Sequence, residues 1–428
     1  MKIFTILLLF AYAAAANADS FGSRLEKFKN RLPSEPKMRQ QIDPIIKKAK
    51  TICSQPLIRR SRSLDEVLNG RKGARKISAH GRTALLVKDK KMKLAEIFGL
   101  GLSDVSAARL LYKELPLVAA AYRITGDKKM LDYLLKQLDE IASWRPIQRT
   151  GWTINMRTKS HSGRRSGVWL GTGFTIIGAL VAIDMLPPDS LPPALKKKID
   201  NWLLYEVKLI TSDWKNKVPW YVKKQASQSN QWVVPSAGLL CAASYLGKDR
   251  VPDEYAQGLK NILASMSKMG NDGASSEGFA YATSWTVPAL CTCAYFLQEQ
   301  GDYSLASKPF FKAFPLWLAA HYQPGKNIIN CFDYWGGCRN MYDRYMLDNI
   351  AALAAISDSP NLQWIVFNQH TRIPVNGYGL LCCAMPPQRM KEPPLYNHFK
   401  RGRLLTWRSS WQDNASGLWM RGRDPEDF

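Results

Sequence analysis

Acidic side chains are scarce in this chain of 428 residues: 35 Asp and Glu stand against 60 Lys and Arg, a formal charge of +25. Such a field attracts polyanions, so nucleic acid, anionic membrane and acidic polysaccharide all come into view as partners. Histidine is scarcer still, with five residues at 80, 161, 321, 370 and 398. They form no HxH or HExxH pattern, so no metal site is visible and no cofactor is expected. Strand–helix–strand alternation and a glycine-rich phosphate loop are also missing, which leaves no nucleotide-binding α/β pattern. No uninterrupted apolar run is long enough to span a bilayer. Ile3–Ala16 is too short, and Asp184 breaks Trp169–Leu186, which reads as a buried helix.

What is present suits a globular protein, 46% hydrophobic and 22% charged, long enough for one large domain or two smaller ones. Met1-Lys2, the apolar stretch and Ala16-Asn17-Ala18 read as a cleaved signal peptide over residues 1–18. The expected location is secreted or periplasmic. Nucleic acid is then not expected as a partner, nor stable membrane insertion after cleavage. Eight cysteines in an exported chain permit disulfides. Cys331 and Cys338 bracket a Gly-Gly turn and are as well placed to be bridged as to stay free. Cys241, Cys291 and Cys293 lie in apolar helical stretches as buried thiols, and adjacent Cys382 and Cys383 do not pair with each other.

Residues 20–370 read mostly as helices separated by Gly, Pro and Asp signals. Asp104–Ala121 has apolar residues at helical spacing, Arg123–Asp127 makes a turn, and Lys128–Trp144 carries one apolar stripe. The pairing recurs in Trp169–Met185 with Leu191–Ile210, Trp232–Leu246 with Asp253–Met269, and Phe279–Gln298 with Tyr303–His321. Stacked αα-hairpins without a strict repeat follow from this order. After residue 395 the period changes: Arg403–Arg408 and Gly417–Arg421 alternate as strands. The expected division is a basic, partly helical segment 19–103, a helical domain 104–385, a Pro-rich linker 386–395 and a β segment 396–428. Within the basic segment, residues 56–93 hold twelve Lys and Arg against three acids. That run reads as a solvated face or as an electrostatic collar for an anionic polymer.

Two stretches carry the chemistry: Ser229-Asn230-Gln231-Trp232 and Asn271–Tyr281. Elimination from a uronate needs its carboxylate neutralised, a base for the C5 proton and an acid for the departing C4 oxygen. Asn230 can donate to the carboxylate, Tyr281 can move the protons, and Gln231 and Trp232 can add a hydrogen bond and a stacking face. The plainer alternatives are a helix N-cap for Asn230, a core tyrosine for Tyr281, a turn at Asp272-Gly273 and a helix start at Glu277. His161, in the basic loop Lys159–Arg165, is a loop residue or a second proton carrier. Arg339 and Arg344 fit substrate carboxylate or sulfate groups, or ion pairs with Asp343 and Asp348.

The order of motifs resembles the heparinase II/III-like polysaccharide lyases over roughly residues 105–428. It runs Thr125-Gly-Asp with a later Trp, Asn230-x-Trp, Asp272-Gly-x-x-x-Glu-Gly-x-x-Tyr281, Phe332-Asp-Tyr-Trp-Gly-Gly, Leu362-Gln-Trp and Trp407-Arg-Ser-Ser-Trp-Gln-Asp-x-Ala. The resemblance implies an incomplete (α/α) toroid followed by the start of a β-sandwich, with substrate in the cleft between them. It implies Asn230 as the carboxylate-neutralising amide and Tyr281 as the Brønsted acid/base, with Glu277 matching a motif acid of unassigned role. Gln231 stands where some members carry His. The family's other catalytic His is expected beyond Arg421–Asp424, past Phe428. Uronate-containing polysaccharide is the implied substrate. Hydrolysis by a carboxylate pair such as Asp272 and Glu277, epimerisation, or glycan binding without turnover stay open, as does the oligomeric state.

Overall fold

The computed structural model describes residues 19–149 and 170–422, apart from 76, 78–80, 276–277, 326, 330–343 and 371. The expected signal peptide over residues 1–18, His161, Glu277, Arg339 and the Cys331–Cys338 pair therefore lie outside the described residues.

The fold is mainly helical, with a small antiparallel sheet at its C-terminal end. Among the described residues, six helices form an inner ring: Met92–Thr125, Leu170–Met185, Asn230–Leu246, Val287–Glu299, Arg344–Ile356 and Gly377–Ala384. Each packs on the next, and the last packs on the first. The second and third are buried on nearly every side, from Leu170 to Ala182 and from Trp232 to Leu246. Apolar residues all around such a helix leave it no stable place but the interior. The outer helices Lys128–Ile141, Pro193–Lys215 and Pro252–Met266 instead bury one stripe and expose the other.

Short turns join each inner helix to its outer partner. At Gly126, φ of +69° ends the first inner helix, and the Asp127 side chain accepts the Lys129 N–H at 3.0 Å to start the next. One turn thus supplies a left-handed C-terminal stop and an N-cap. The first inner helix begins twelve residues before the expected Asp104, because Ala95, Phe98 and Leu102 pack with Leu86 in a small satellite core.

Since each outer helix doubles back, the inner helices run in one direction. Contacts confirm it. Gly171 approaches Val105 and Gly178 approaches Tyr112, an offset of 66 in both cases. Cys241 Sγ lies 3.8 Å from Cys293 Sγ, and Ser244 Oγ donates to the Phe296 carbonyl at 3.4 Å, an offset of 52 in both. Small residues let these backbones come close: a Cβ on Gly238 would sit 2.9 Å from Gly173 Cα.

The last inner helix has no outer helix after it, and the N-terminal helices Phe21–Arg31 and Pro36–Cys53 pack there instead. The Phe21 ring stacks on Tyr295 at 3.8 Å, and its N–H donates to Tyr295 Oη at 2.9 Å and to Asp184 Oδ2 at 3.1 Å. Tyr295 in turn donates to Asp184 at 2.6 Å. The acid that interrupts the apolar run is therefore hydrogen-bonded, and burial raises its pKa. No helix among the described residues is long and apolar enough to cross a membrane. Cys53, Cys241, Cys291, Cys293, Cys382 and Cys383 are free thiols.

Strands Tyr396–Phe399, Leu404–Arg408 and Gly417–Arg421 pair in sequence order, with Phe399 opposite Leu404 and Leu404 opposite Arg421. Phe399, Leu404 and Trp411 join the helical core, so the sheet packs on the toroid.

Candidate functional site

Parallel inner helices gather their N-terminal ends at one end of the ring, and both chemical motifs lie there. Asn230 is the first residue of its helix and is buried, 8% exposed. The capping role belongs to Ser229, whose side chain accepts the Gln231 N–H at 3.3 Å. Carried back from Cys241 and Cys293 past the extra residue of the wide turn Ala282–Thr286, the register brings Asn230 level with Tyr281 and Ala282. The amide and the phenol therefore come from neighbouring helices at one height.

Tyr281 is half-buried and closes the short helix Gly278–Tyr281. A π-helical turn, Ala282–Thr286, follows it, with the Val287 N–H reaching the Ala282 carbonyl. Local chemistry explains the wide turn. Pro288 has no N–H to return to Ser284, and its ring would crowd that carbonyl in a regular helix. Thr283 and Ser284 hydroxyls also bond back to the Phe279 and Ala280 carbonyls, at 2.8 and 2.6 Å. Single π turns inside helices frequently mark functional positions.

The other residues of the two motifs divide between site and scaffold. Gln231 is half-buried, and its Oε1 has no partner among the described residues. Trp232 departs from the expected stacking role. It is 8% exposed, its indole N–H donates to the Asn261 carbonyl at 3.0 Å, and it meets Trp214 edge-on at 5.6 Å. Among the described residues the ring is thus packed into the core rather than offered to a sugar. Asp272 also turns away from chemistry. Its Oδ2 accepts the Arg401 N–H at 2.7 Å and the Gly402 N–H at 3.3 Å, while Oδ1 accepts the Ala274 N–H at 3.3 Å. Gly273 beside it has φ of +85°, and a Cβ there would lie 2.3 Å from the Phe314 nitrogen. The turn is built to dock the sheet.

Arg344 opens its inner helix, and Asn349 one turn further donates to Ser284 Oγ at 3.2 Å. Arg344 thus stands at the start of the helix next to that of Tyr281. Below Tyr281 a cavity of about 470 Å³ is lined by Ser284, Pro288, Asn349, Tyr112, Lys113 and Tyr378, among others. Burial pushes the Tyr112 hydroxyl up to about 12, so it stays protonated there.

Sequence reasoning passed over Arg149. Its backbone N–H and Nε donate to Asp104 Oδ2 at 2.9 Å, and Nη2 donates to Oδ1 at 2.6 Å. By the offset of 66, Asp104 is level with Leu170, at the same end of the ring as Asn230. A lone acid inside an apolar helix was the signal that could have found it. Such a residue needs a partner when 1% exposed, and the partner found is a bidentate guanidinium. His321 and His370, by contrast, are scaffold. His321 Nδ1 donates to the Trp317 carbonyl at 2.7 Å and His370 Nε2 lies 3.1 Å from Tyr322 Oη. Burial lowers both to about 4, which keeps the rings neutral.

Comparison with solved structures finds lyases. A heparinase III structure with methylated lysines matches 74% of this chain and 47% of its own, at 13% identity and a TM-score of 0.44. A heparan sulfate lyase HepC mutant from Pedobacter heparinus matches 74% of this chain and 45% of its own, at 14% identity and 0.43. Another heparinase III structure matches 81% and 53%, at 12% identity and 0.44. The chain spans about half the length of these solved structures. No protein-family model and no curated protein matches it.

Proposed function

We propose that this chain is an exported lyase that cleaves an acidic, uronate-containing polysaccharide by β-elimination. The observation that carries the reading is the helix register that sets Asn230 and Tyr281 at one height on adjacent inner helices. In this reading the Asn230 amide donates to the uronate carboxylate, so the adjacent C5–H becomes acidic. Tyr281 takes the C5 proton and returns one to the C4 oxygen as the glycosidic bond breaks. Electrons from C5–H form the C4–C5 double bond, and the C4 oxygen leaves as a hydroxyl. Gln231 adds a hydrogen bond, while Glu277, Arg339 and Arg344 contact substrate and His161 serves as a second proton carrier.

The carboxylate-pair hydrolase is disfavoured because the Asp272 oxygens are already held by backbone donors. The test is ultraviolet absorbance of unsaturated uronates during incubation with a panel of acidic polysaccharides. Growth with one polymer, lost in Tyr281→Phe, is the expected outcome. New reducing ends without absorbance would sink the reading.

A further inference from the structure

At the opposite end of the ring, where the inner helices finish, lies a second cavity of about 510 Å³. Its wall carries Arg24, Lys27, Arg31, Lys312 and Arg389 against Asp19 and Asp358, five cations to two acids. Ala294, Phe311, Ile356 and Met385 supply an apolar floor. None of these residues belongs to the Asn230 or Tyr281 motifs.

The cations are held in place. Arg24 Nη1 donates to the Ala355 carbonyl at 2.9 Å, and its Nε donates to the Asp19 carbonyl at 2.9 Å. Arg31 Nη1 and Nη2 reach the Ala384 carbonyl at 3.4 and 3.5 Å. Ala355 and Ala384 lie at the C-terminal ends of two inner helices, where cations are favoured. That role accounts for Arg24 and Arg31 but not for the facing side. Arg389 pairs with Asp358 at 2.8 Å, Lys27 with Asp19 at 2.5 Å and Arg31 with Glu35 at 3.2 Å, while Lys312 is exposed with no partner among the described residues. Guanidiniums fixed on one side and the exposed Lys312 ammonium on the other face a common space over an apolar floor.

We propose that this cavity is an anchoring site for a sulfate- or carboxylate-bearing sugar unit of an acidic glycan, remote from the reacting end. The anionic groups meet the cations, and the C–H faces of the ring meet Phe311 and Ile356. That the anion is a glycan rests on the lyase reading; the anion site does not.

The experiment measures calorimetric binding of a sulfated uronate-containing tetrasaccharide to Tyr281→Phe protein, so that turnover cannot interfere. Three forms are compared: that protein, the same with Lys312→Glu and Arg389→Glu, and the same with Lys136→Glu and Lys260→Glu on exposed outer helices. Loss of two charge-assisted contacts predicts about a tenfold or greater weakening for the first pair. The second pair carries an equal charge change and is expected to shift affinity less than about twofold. Equal weakening by both pairs, or none by the first, would overturn the site. The absorbance assay on the wild-type protein with the same tetrasaccharide separates the two claims. If that protein gives no unsaturated product, the lyase reading fails while the binding comparison still judges the anion site.

Discussion

The Asp272 carboxylate accepts the backbone N–H of Arg401 at 2.7 Å, and so ties the toroid to the turn between two C-terminal strands. An acid inside the motif that looked catalytic therefore acts as a joint. Its neighbour Gly402 donates to the same oxygen at 3.3 Å, and Ala274 holds the other oxygen. Asp272→Ala leaves these donors without their acceptor and is expected to cost about 1–2 kcal/mol, since the group is partly exposed. Asp272→Asn, which keeps one acceptor oxygen, should cost less. Urea unfolding of both variants checks the order. If Asp272→Ala were as stable as the parent yet inactive, a chemical role would have to be restored.

Tyr281→Phe removes one oxygen from a half-buried ring at the head of a π turn. The expected result is a fall in kcat of about 10²–10⁴, with thermal stability unchanged. Asn230→Ala should lower kcat alongside, because carboxylate stabilisation grows as charge develops at C5. Steady-state rates on the responsive polymer decide both. A Tyr281→Phe enzyme at full rate would remove the phenol from the mechanism.

Stability should fall on the acid side because of His321. Its pKa is lowered from 6.5 to about 4 by burial, so the folded ring excludes the proton that the unfolded ring binds. The stability this contributes is complete above about 6.5 and is lost as pH drops toward 4, about 3 kcal/mol at the limit. His370, lowered in the same direction, adds to the slope. Unfolding free energies between pH 7.5 and 4 should show the decline, and His321→Gln should flatten it. A parent curve that is level over this window would contradict the buried neutral ring.

Close helix contact makes its own prediction at Gly238. An added methyl would sit 2.9 Å from Gly173 Cα, with backbone on both sides and no flexible side chain to move. Gly238→Ala is expected to cost about 1–3 kcal/mol by overpacking. Because that contact sets the spacing of the Leu170 and Asn230 helices, turnover should also drop. A fully stable Gly238→Ala protein would show that the inner helices have room to part.

Local chemistry along the chain was enough for the helices, their turns and the buried thiols. Periodicity spans only a turn or two, and Gly126 with Asp127 ends and begins helices through its own backbone and side chain. Charge and the candidate pair Asn230 and Tyr281 were legible for the same reason: they are properties of residue types at short spacing. Trp232 was misjudged because its partners, Asn261 and Trp214, are distant in sequence. Asp272 and Arg401 are 129 residues apart, and Arg149 finds Asp104 across 45. Whether the amide stands level with the phenol was decided only by packing. Glycines and small side chains set how closely parallel helices approach and in what register, and that register is a property of two surfaces rather than of either segment alone.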